Sequence, residues 1–138
     1  MKKCIYILIF IFIVFKTHAN EKRYKDISKI EMDVLRNGQV IGYSNYSFTH
    51  SENEMSVIND TQFEVELFGV KIFSIISKSI EKYENDKLFF FKSNTLQNKK
   101  KKYVNLSYDK KINKFIIDGS SYVGKADIDN IIGNWWNS

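Results

Sequence analysis

The sequence predicts a mainly β domain, an antiparallel meander curled into a barrel or half-barrel. First, apolar and polar residues alternate with a period of two in several segments after residue 28. Second, polar turns separate roughly six to eight such segments. Third, where the period is ambiguous, β-branched residues are abundant, and these favour a strand. The chain of 138 residues is long enough for one domain with one core.

Residues 1–19 have the pattern of a secretory leader. Lys2 and Lys3 give a positive start, an apolar run of 11 residues follows at positions 5–15, and a short segment with small residues ends at Ala19. The run is shorter than the roughly 20 residues of a membrane span, so a retained anchor is the weaker alternative. We expect cleavage after Ala19, a location in the periplasm or outside the cell, and no stable membrane span afterwards.

Removal of the leader changes what the composition implies. The one cysteine, Cys4, leaves with it, so the mature chain has no disulfide and depends on packing for its stability. Loss of the leader's three lysines lowers the net charge from +5 to +2, which demands neither nucleic acid nor an anionic membrane as a partner. We expect a polar arm over residues 20–28 and a single β-rich domain over residues 29–138.

A β-hairpin is predicted around Asn37-Gly38, because a type I′ turn needs positive φ at both central residues and this dipeptide adopts it readily. With a two-residue turn and no irregularity, Val34 faces Ile41 on the more apolar face of the hairpin. Asp33 then lies opposite Gly42 on the other face.

Gly42 interrupts an otherwise favourable strand, and two interpretations are open. A β-bulge or a point of high twist accommodates a glycine. Close approach of another backbone, or of a ligand, also requires one. On the concave side of a curved sheet, Gly42 would open space beside Asp33 and Ser44, which makes these three residues candidate ligand contacts.

Strands and turns continue through the middle of the chain. A short strand is predicted near residues 55–60 and another over residues 62–68, where Phe63 and Val65 share one face. Gly69 shifts the phase of the alternation, as a bulge or tight turn does. Residues 70–84 fit both a helical and a strand period, and their β-branched residues favour the strand.

The last third of the chain adds further strands. A turn at Asn85-Asp86 leads into a strand that is predicted to be buried on both faces over residues 88–91. Lys99–Lys102 form a basic turn, and strands are predicted over residues 103–108 and 115–119. Trp135 and Trp136 stand near the end, where they either dock on the core or precede more chain.

Five short segments occur in an order that carries a resemblance: NGQVIG, FEVELFGVKIF, EKYENDKLFFFKSNT, FIIDG and NWWN. Together they resemble an exported bacterial family, domain-of-unknown-function family 6134, which we expect to be related to domain-of-unknown-function family 3108. Its hairpin pattern fits Gly38, Ile41 and Gly42. Its second pattern places a glutamate, an aromatic and an aspartate before a strand that ends in threonine, and it fits Glu81, Tyr83, Asp86, Leu88 and Thr95.

The resemblance covers most of residues 30–137 and implies a β-rich, barrel-like domain in a signal-bearing envelope protein. It supports the strand interpretation of residues 70–84 and implies no activity. Members of the family are expected to run past the Trp-Asn segment into further strands. The resemblance therefore implies a shortened member or a fragment, with a barrel that is incomplete at its C-terminus.

The inventory of reactive side chains excludes most catalytic arrangements. After the leader the chain has one histidine, His50, and no cysteine, which excludes thiol nucleophiles and thiolate metal sites. No Gly-x-Ser-x-Gly segment surrounds a serine. A hydrolase that uses His50 or a carboxylate such as Glu81 stays an alternative, although acids that alternate with apolar residues are typical of a solvated face. We predict no catalytic residue, no metal and no cofactor.

The aromatic residues are the most informative feature for function. They fit either a cavity for an apolar or lipid-like ligand or a packed core. The first interpretation predicts a non-catalytic protein that binds a lipid, another amphipathic ligand or an envelope protein. The second predicts a solid structural protein that pairs through a strand edge. The candidate ligand-binding residues are Asp33, Gly42, Ser44, Phe89, Phe91, Tyr103, Trp135 and Trp136.

Overall fold

The computed structural model describes residues 26–129, which form one antiparallel sheet. Each strand pairs with the strand that follows it in the chain, so the sheet is an eight-stranded meander. This confirms the predicted fold class. The strands are β1 Lys29–Arg36, β2 Gln39–His50, β3 Glu54–Leu67, β4 Val70–Glu84, β5 Lys87–Gln97, β6 Lys100–Asp109, β7 Lys114–Gly119 and β8 Val123–Asp127.

The sheet is open rather than closed into a barrel. Across residues 26–129 no ladder of hydrogen bonds joins β1 to β8, so each of these two strands keeps one unpaired edge. Short turns join all the neighbours, and such turns produce antiparallel pairs. The described strands therefore fit the half-barrel form of the prediction.

The two faces of the sheet differ in burial. We call inner the face that carries Phe48, Val57 and Glu81, which are aligned in register across β2, β3 and β4. The opposite face is the outer face, and most of its side chains are exposed. Because a single sheet must cover one face to form a core, this asymmetry fits a sheet that curls over its inner face. Within residues 26–129 the buried apolar residues all lie there: Phe48, Val57, Tyr83, Leu106 and Phe115.

Four turns of the described chain contain two residues, and in each turn both residues have positive φ. They are Asn37-Gly38, Phe68-Gly69, Asn85-Asp86 and Asn98-Lys99. Positive φ at both positions defines a type I′ turn, whose twist matches that of the flanking strands. The predicted turns at positions 37–38, at Gly69 and at positions 85–86 are confirmed. Three of the four turns begin with asparagine, and the turn at Phe68 is the exception.

The ambiguous segment, residues 70–84, is the strand β4. It pairs with β3 over its whole length and with β5 over most of it. Both neighbours are joined to it by two-residue turns, so local geometry holds it in the sheet. The helical spacing of its isoleucines has no structural counterpart. β3 is likewise one strand of 14 residues rather than the two that the sequence predicted.

The predicted register of the first hairpin is wrong by one residue. Val34 pairs with Gly42 rather than with Ile41, whereas Leu35 pairs with Val40. Ile41 is therefore the extra residue of a β-bulge, which the assumption of a regular hairpin missed. Because a shift of one residue moves every side chain to the other face, Gly42 lies on the inner face and Asp33 on the outer face.

Gly42 is required by the close approach of the neighbouring strand. A β-carbon at this position would lie 2.5 Å from both Cα and Cβ of Phe63 and would also collide with the carbonyl oxygen of Gln62. Real β-carbons do not approach other heavy atoms so closely. Both interpretations of Gly42 thus have support, because a bulge lies beside it and another backbone approaches it closely.

The C-terminal part of the described chain departs from the prediction in two ways. β8 pairs with β7 although its sequence has little period. Residues 88–91 are half-buried rather than buried, because the described sheet has only one layer. Trp135 and Trp136 lie outside the described residues. Residues 26–129 contain no helix whose length and apolar character would let it cross a membrane.

Candidate functional site

A row of four hydroxyl side chains crosses the middle of the inner face. Ser44 pairs with Thr61, Thr61 with Ser77, and Ser77 with Thr95, so one hydroxyl comes from each of β2, β3, β4 and β5. All four residues are half-buried. We call these residues the hydroxyl row. On a face that otherwise forms the core, a line of hydroxyls provides hydrogen-bonding groups instead of apolar packing.

Half of the hydroxyl row is closed into a ring of hydrogen bonds. Thr61 Oγ1 donates to Asn59 Oδ1 at 3.0 Å, and Asn59 Nδ2 donates to Ser44 Oγ at 3.1 Å. Ser44 Oγ lies 2.7 Å from Thr61 Oγ1. A hydroxyl has one hydrogen, and Thr61 gives its hydrogen to Asn59, so Ser44 is the donor to Thr61. The ring holds these three side chains in fixed orientations.

The other half of the polar region keeps free hydrogen-bonding capacity. Ser77 Oγ and Thr95 Oγ1 lie 2.7 Å apart, and one hydrogen is enough for that bond. Ser79 and Ser93 pair with each other in the adjacent row, on the inner face. Neither makes a side-chain hydrogen bond to any residue between 26 and 129. These hydroxyls can therefore bond to a polar group that enters the inner face.

Apolar side chains lie on both sides of the polar region along the strands. On one side is the core cluster, formed by Phe48, Val57 and Tyr83 with partly buried neighbours that include Met55 and Leu88. On the other side are four half-buried residues, which we call the upper apolar group: Phe63, Val65, Phe73 and Ile75. The rings of Phe63 and Phe73 lie 6.0 Å apart. The inner face is thus apolar, polar and apolar in sequence along the strands.

A buried carboxylate belongs to the core side of the inner face. Glu81 is only 4% exposed, and Tyr83 Oη donates a hydrogen bond to Glu81 Oε2 at 2.5 Å. The short distance is typical of a hydroxyl that bonds to a carboxylate. Burial of a carboxylate is costly without such partners. The pair therefore gives this apolar region a fixed acidic group.

A groove of about 260 Å³ continues the polar region toward β7. Ser93 and Thr95 line one side, and Val104, Ile117 and Gly119 line the other. Lys102, Tyr103 and residues 120–122 also line the groove. The volume is a little below the 300–1,000 Å³ that is usual for small-molecule sites. Because Gly119 has no side chain and Ser93 has a short one, the inner face stays open here. Hydroxyls, the cation of Lys102 and aliphatic side chains together suit an amphipathic group.

Three predicted ligand-binding residues lie on the inner face, but in different roles. Ser44 belongs to the hydroxyl row, and Gly42 permits the close approach of β3. Phe91 pairs with Glu81 and with Leu106, so it lies beside the buried carboxylate. Phe89 is the extra residue of a bulge in β5, because Lys82 pairs with Phe90 whereas Tyr83 pairs with Leu88.

Of the other predicted contacts, Tyr103 is among the residues that line the groove, whereas Asp33 is not. Asp33 is exposed on the outer face, because the bulge at Ile41 shifts the register. Tyr103 also lies on the outer face, where its hydroxyl donates to Asp118 Oδ1 at 3.2 Å. That hydrogen bond and the charge of the carboxylate raise the pKa of Tyr103 above its ordinary value of 10.0. Trp135 and Trp136 lie outside the described residues.

Sequence reasoning missed most of the polar region. Thr61, Ser77, Ser79 and Ser93 were not predicted as site residues. The signal was present, since each of β2 to β5 carries a hydroxyl residue at an inner position that alternation would give to an apolar side chain. Only the register reveals that these positions form a row across the sheet.

The residues of the hydrolase alternative occupy different surroundings. His50 is exposed at the edge of the inner face, and its ring stacks on Phe48 with centroids 6.4 Å apart. Glu81 is buried and bonded to Tyr83. Among residues 26–129, no group of three or more His, Asp or Glu is arranged to hold a metal ion.

A protein-family match covers most of the chain. The family described as Domain of unknown function (DUF6134) matches residues 32–138. The chain belongs to this family. No curated protein and no solved structure matches it.

The DUF6134 match includes the whole polar region of the inner face. Gly42, Glu81, Tyr83 and Thr95, which carried the resemblance in the sequence, all lie within the matched residues. In the structure they share one face, although they come from three strands. The relation between this family and domain-of-unknown-function family 3108 stays a prediction.

Proposed function

We propose that this DUF6134 protein is an exported, non-catalytic envelope protein that binds one amphipathic, lipid-like molecule on its inner face. The hydroxyls of Ser79, Ser93 and Thr95 would bond to the polar head of the ligand. The aliphatic side of the groove and the upper apolar group would contact its apolar part. The leader pattern of residues 1–19, with cleavage after Ala19, supports delivery to the periplasm or the outside of the cell.

One observation carries the proposal: the inner face contains hydrogen-bonding groups that the described chain leaves without partners, next to apolar side chains that it leaves half-buried. In a solid core we would expect apolar residues at positions 79 and 93, because a half-buried hydroxyl without a hydrogen-bond partner contributes nothing to packing. Contact of the upper apolar group with further apolar surface would likewise be favourable, by a free energy of about 25 cal/mol for each Å² of apolar surface removed from water.

Native mass spectrometry of the protein purified from an envelope fraction tests the proposal. We expect a second species, heavier by the mass of one lipid-like molecule, that disappears after denaturation. Ser93→Trp fills the groove and should abolish that species. Asn94→Trp is the matched control, because Asn94 is the next residue in the same strand and is exposed on the outer face. A spectrum with no bound species in the wild-type protein would contradict the proposal.

The leader is tested separately by the intact mass of the same material. The proposal expects a chain that begins at Asn20. A chain that retains residues 1–19 would contradict cleavage of the leader. It would not affect the test of ligand binding, which depends on the groove variants.

A second candidate function is strand-edge pairing with another chain. The observation that favours it is that β1 and β8 each have one edge to which no other strand within residues 26–129 pairs. Exposed edges are templates for added strands unless charges protect them, and β1 carries Lys29, Glu31 and Asp33 on its exposed side. Size-exclusion chromatography with light scattering distinguishes the two functions. If the protein is a dimer and Val34→Pro in β1 makes it dissociate, edge pairing is favoured.

A further inference from the structure

The end of the sheet that holds the β3–β4 turn exposes a concentrated set of apolar side chains. Phe68 is 96% exposed at the tip of that turn. Leu67, Val70 and Ile72 beside it are 46% to 62% exposed. Leu35 and Val40 at the end of the β1–β2 hairpin are 61% and 60% exposed. We call these six residues the apolar tip.

The apolar tip extends beyond the rest of the sheet. The β2–β3 ladder ends at Gly42 and Phe63, and the β4–β5 ladder ends at Ile75 and Gln97. Among residues 26–129, the β3–β4 hairpin from Glu64 to Phe73 therefore pairs only with itself. About four residues in each strand, at about 3.4 Å per residue, extend the hairpin by roughly 14 Å. Arg36 Nη1 donates to the carbonyl oxygen of Glu66 at 3.2 Å and joins the two apolar hairpin ends.

Phe68 is an unfavourable choice for folding. Its φ is +51°, a left-handed conformation that is costly for a bulky side chain and easy for asparagine. The three other two-residue turns, at positions 37–38, 85–86 and 98–99, all have asparagine at the equivalent position, with φ between +47° and +51°. An aromatic side chain that strains the turn and lies in solvent contributes nothing to the stability of the monomer. It is explained by a contact with something outside the chain.

The charge around the apolar tip indicates what that contact is. The hairpin ends at residues 35–40, 64–73 and 97–102 carry six cations and two carboxylates. One carboxylate, Glu64, already pairs with Lys71 at 2.5 Å. The four consecutive lysines Lys99–Lys102 lie in the β5–β6 hairpin, set back from Phe68 because that hairpin begins beside Ser74. The surface is thus apolar at its furthest point and positive behind it.

We propose that the apolar tip inserts into the interfacial region of an anionic phospholipid bilayer, with Lys99–Lys102 against the phosphate groups. Apolar side chains at the furthest point enter the boundary between headgroups and acyl chains, and lysines a short distance behind them lie at the level of the headgroup charges. This inference is independent of a ligand on the inner face, because the tip needs no groove to bind a bilayer.

Sedimentation with vesicles tests the inference on the protein purified from the envelope fraction. The vesicles are an equal mixture of phosphatidylcholine and phosphatidylglycerol, or phosphatidylcholine alone. Phe68→Asn should reduce the partition coefficient on the mixed vesicles about tenfold or more, the loss expected for one buried aromatic side chain. Lys100→Glu with Lys101→Glu should reduce binding to the mixed vesicles alone. Ile112→Asn is the matched control, because Ile112 is exposed in a turn at the opposite end of the sheet and should leave binding unchanged.

Phe68→Asn produces the Asn-Gly turn that the first hairpin already uses, so this variant is expected to fold. Phe68→Trp provides a second measurement. If position 68 inserts into the bilayer, the fluorescence emission of the new tryptophan should shift to shorter wavelength when the mixed vesicles are added. Wild-type binding by Phe68→Asn would overturn the inference, as would emission from Phe68→Trp that vesicles leave unchanged. The groove variant Ser93→Trp should bind vesicles as the wild type does, which separates this result from that of the proposed ligand.

Discussion

Gly42 and Phe63 lie directly opposite each other in β2 and β3, and the space between their backbones admits no β-carbon at position 42. The pair is the last of the β2–β3 ladder, and the bulge at Ile41 follows directly in the first hairpin. The close approach therefore marks the place where the continuous sheet ends and the projecting hairpins begin.

Gly42→Ala should destabilise the protein by about 1–3 kcal/mol, the usual cost of forcing an extra carbon into a packed place. The loss is measured by chemical denaturation. Ser47→Ala, on the exposed outer face of the same strand, should change the free energy of unfolding by less than about 0.5 kcal/mol. Equal stability of Gly42→Ala and wild type would show that β2 and β3 are further apart than described.

Tyr83→Phe should destabilise the protein by about 1–3 kcal/mol, because it removes a hydrogen-bond donor from the buried carboxylate of Glu81. Tyr108→Phe removes a comparable hydroxyl, which bonds to Asn113 at 2.7 Å near the surface, and should cost about 0.5 kcal/mol or less. Denaturant titrations of both variants under one set of conditions compare them. If both variants lose a similar free energy of unfolding, the buried hydrogen bond between Tyr83 and Glu81 contributes no more to stability than an exposed one.

Phe68→Asn should raise the free energy of unfolding by about 1 kcal/mol, because asparagine adopts the left-handed conformation with less strain than phenylalanine. Asn37→Phe, the converse change in the first hairpin, should lower it by a similar amount. Thermal unfolding followed by circular dichroism gives both values. A less stable Phe68→Asn would indicate that Phe68 packs against the chain.

Tyr103 should lose its proton at higher pH than a free tyrosine, because Asp118 favours the neutral phenol. Its folded pKa is raised above 10.0, so its contribution to stability is fully present below pH 10.0 and is lost as pH rises through the raised value. The difference in absorbance titration between wild type and Tyr103→Phe isolates this group. Asp118→Asn should return the pKa toward its ordinary value, and no movement would exclude Asp118 as the cause.

Local sequence signals predicted the strands and turns well. The Asn-Gly and Asn-Asp dipeptides fix two turns by their backbone preferences alone, and β-branched residues identified β4 as a strand. β8 was missed, because a strand of five residues at an edge needs no regular alternation. Such a strand is held by its ladder to β7 rather than by its own pattern.

The candidate site was less predictable, because it depends on register. One extra residue at Ile41 moved Asp33 to the outer face and brought Gly42 and Ser44 to the inner face. A bulge has no firm local signature, so its consequences could not be derived from the hairpin alone. The hydroxyl row depends on the pairing of four strands in register, which no single segment encodes.

On the proposed function, an amphipathic molecule binds to the inner face of the sheet and not to the outer face. Methyl NMR during titration with dodecylphosphocholine below its micellar concentration measures this directly. We expect the methyl signals of Thr61, Thr95 and Val104 on the inner face to shift, and those of Thr49, Ile58 and Ile76 on the outer face to stay unchanged. Shifts confined to the outer face, or no shift at a saturating excess of the probe, would contradict it.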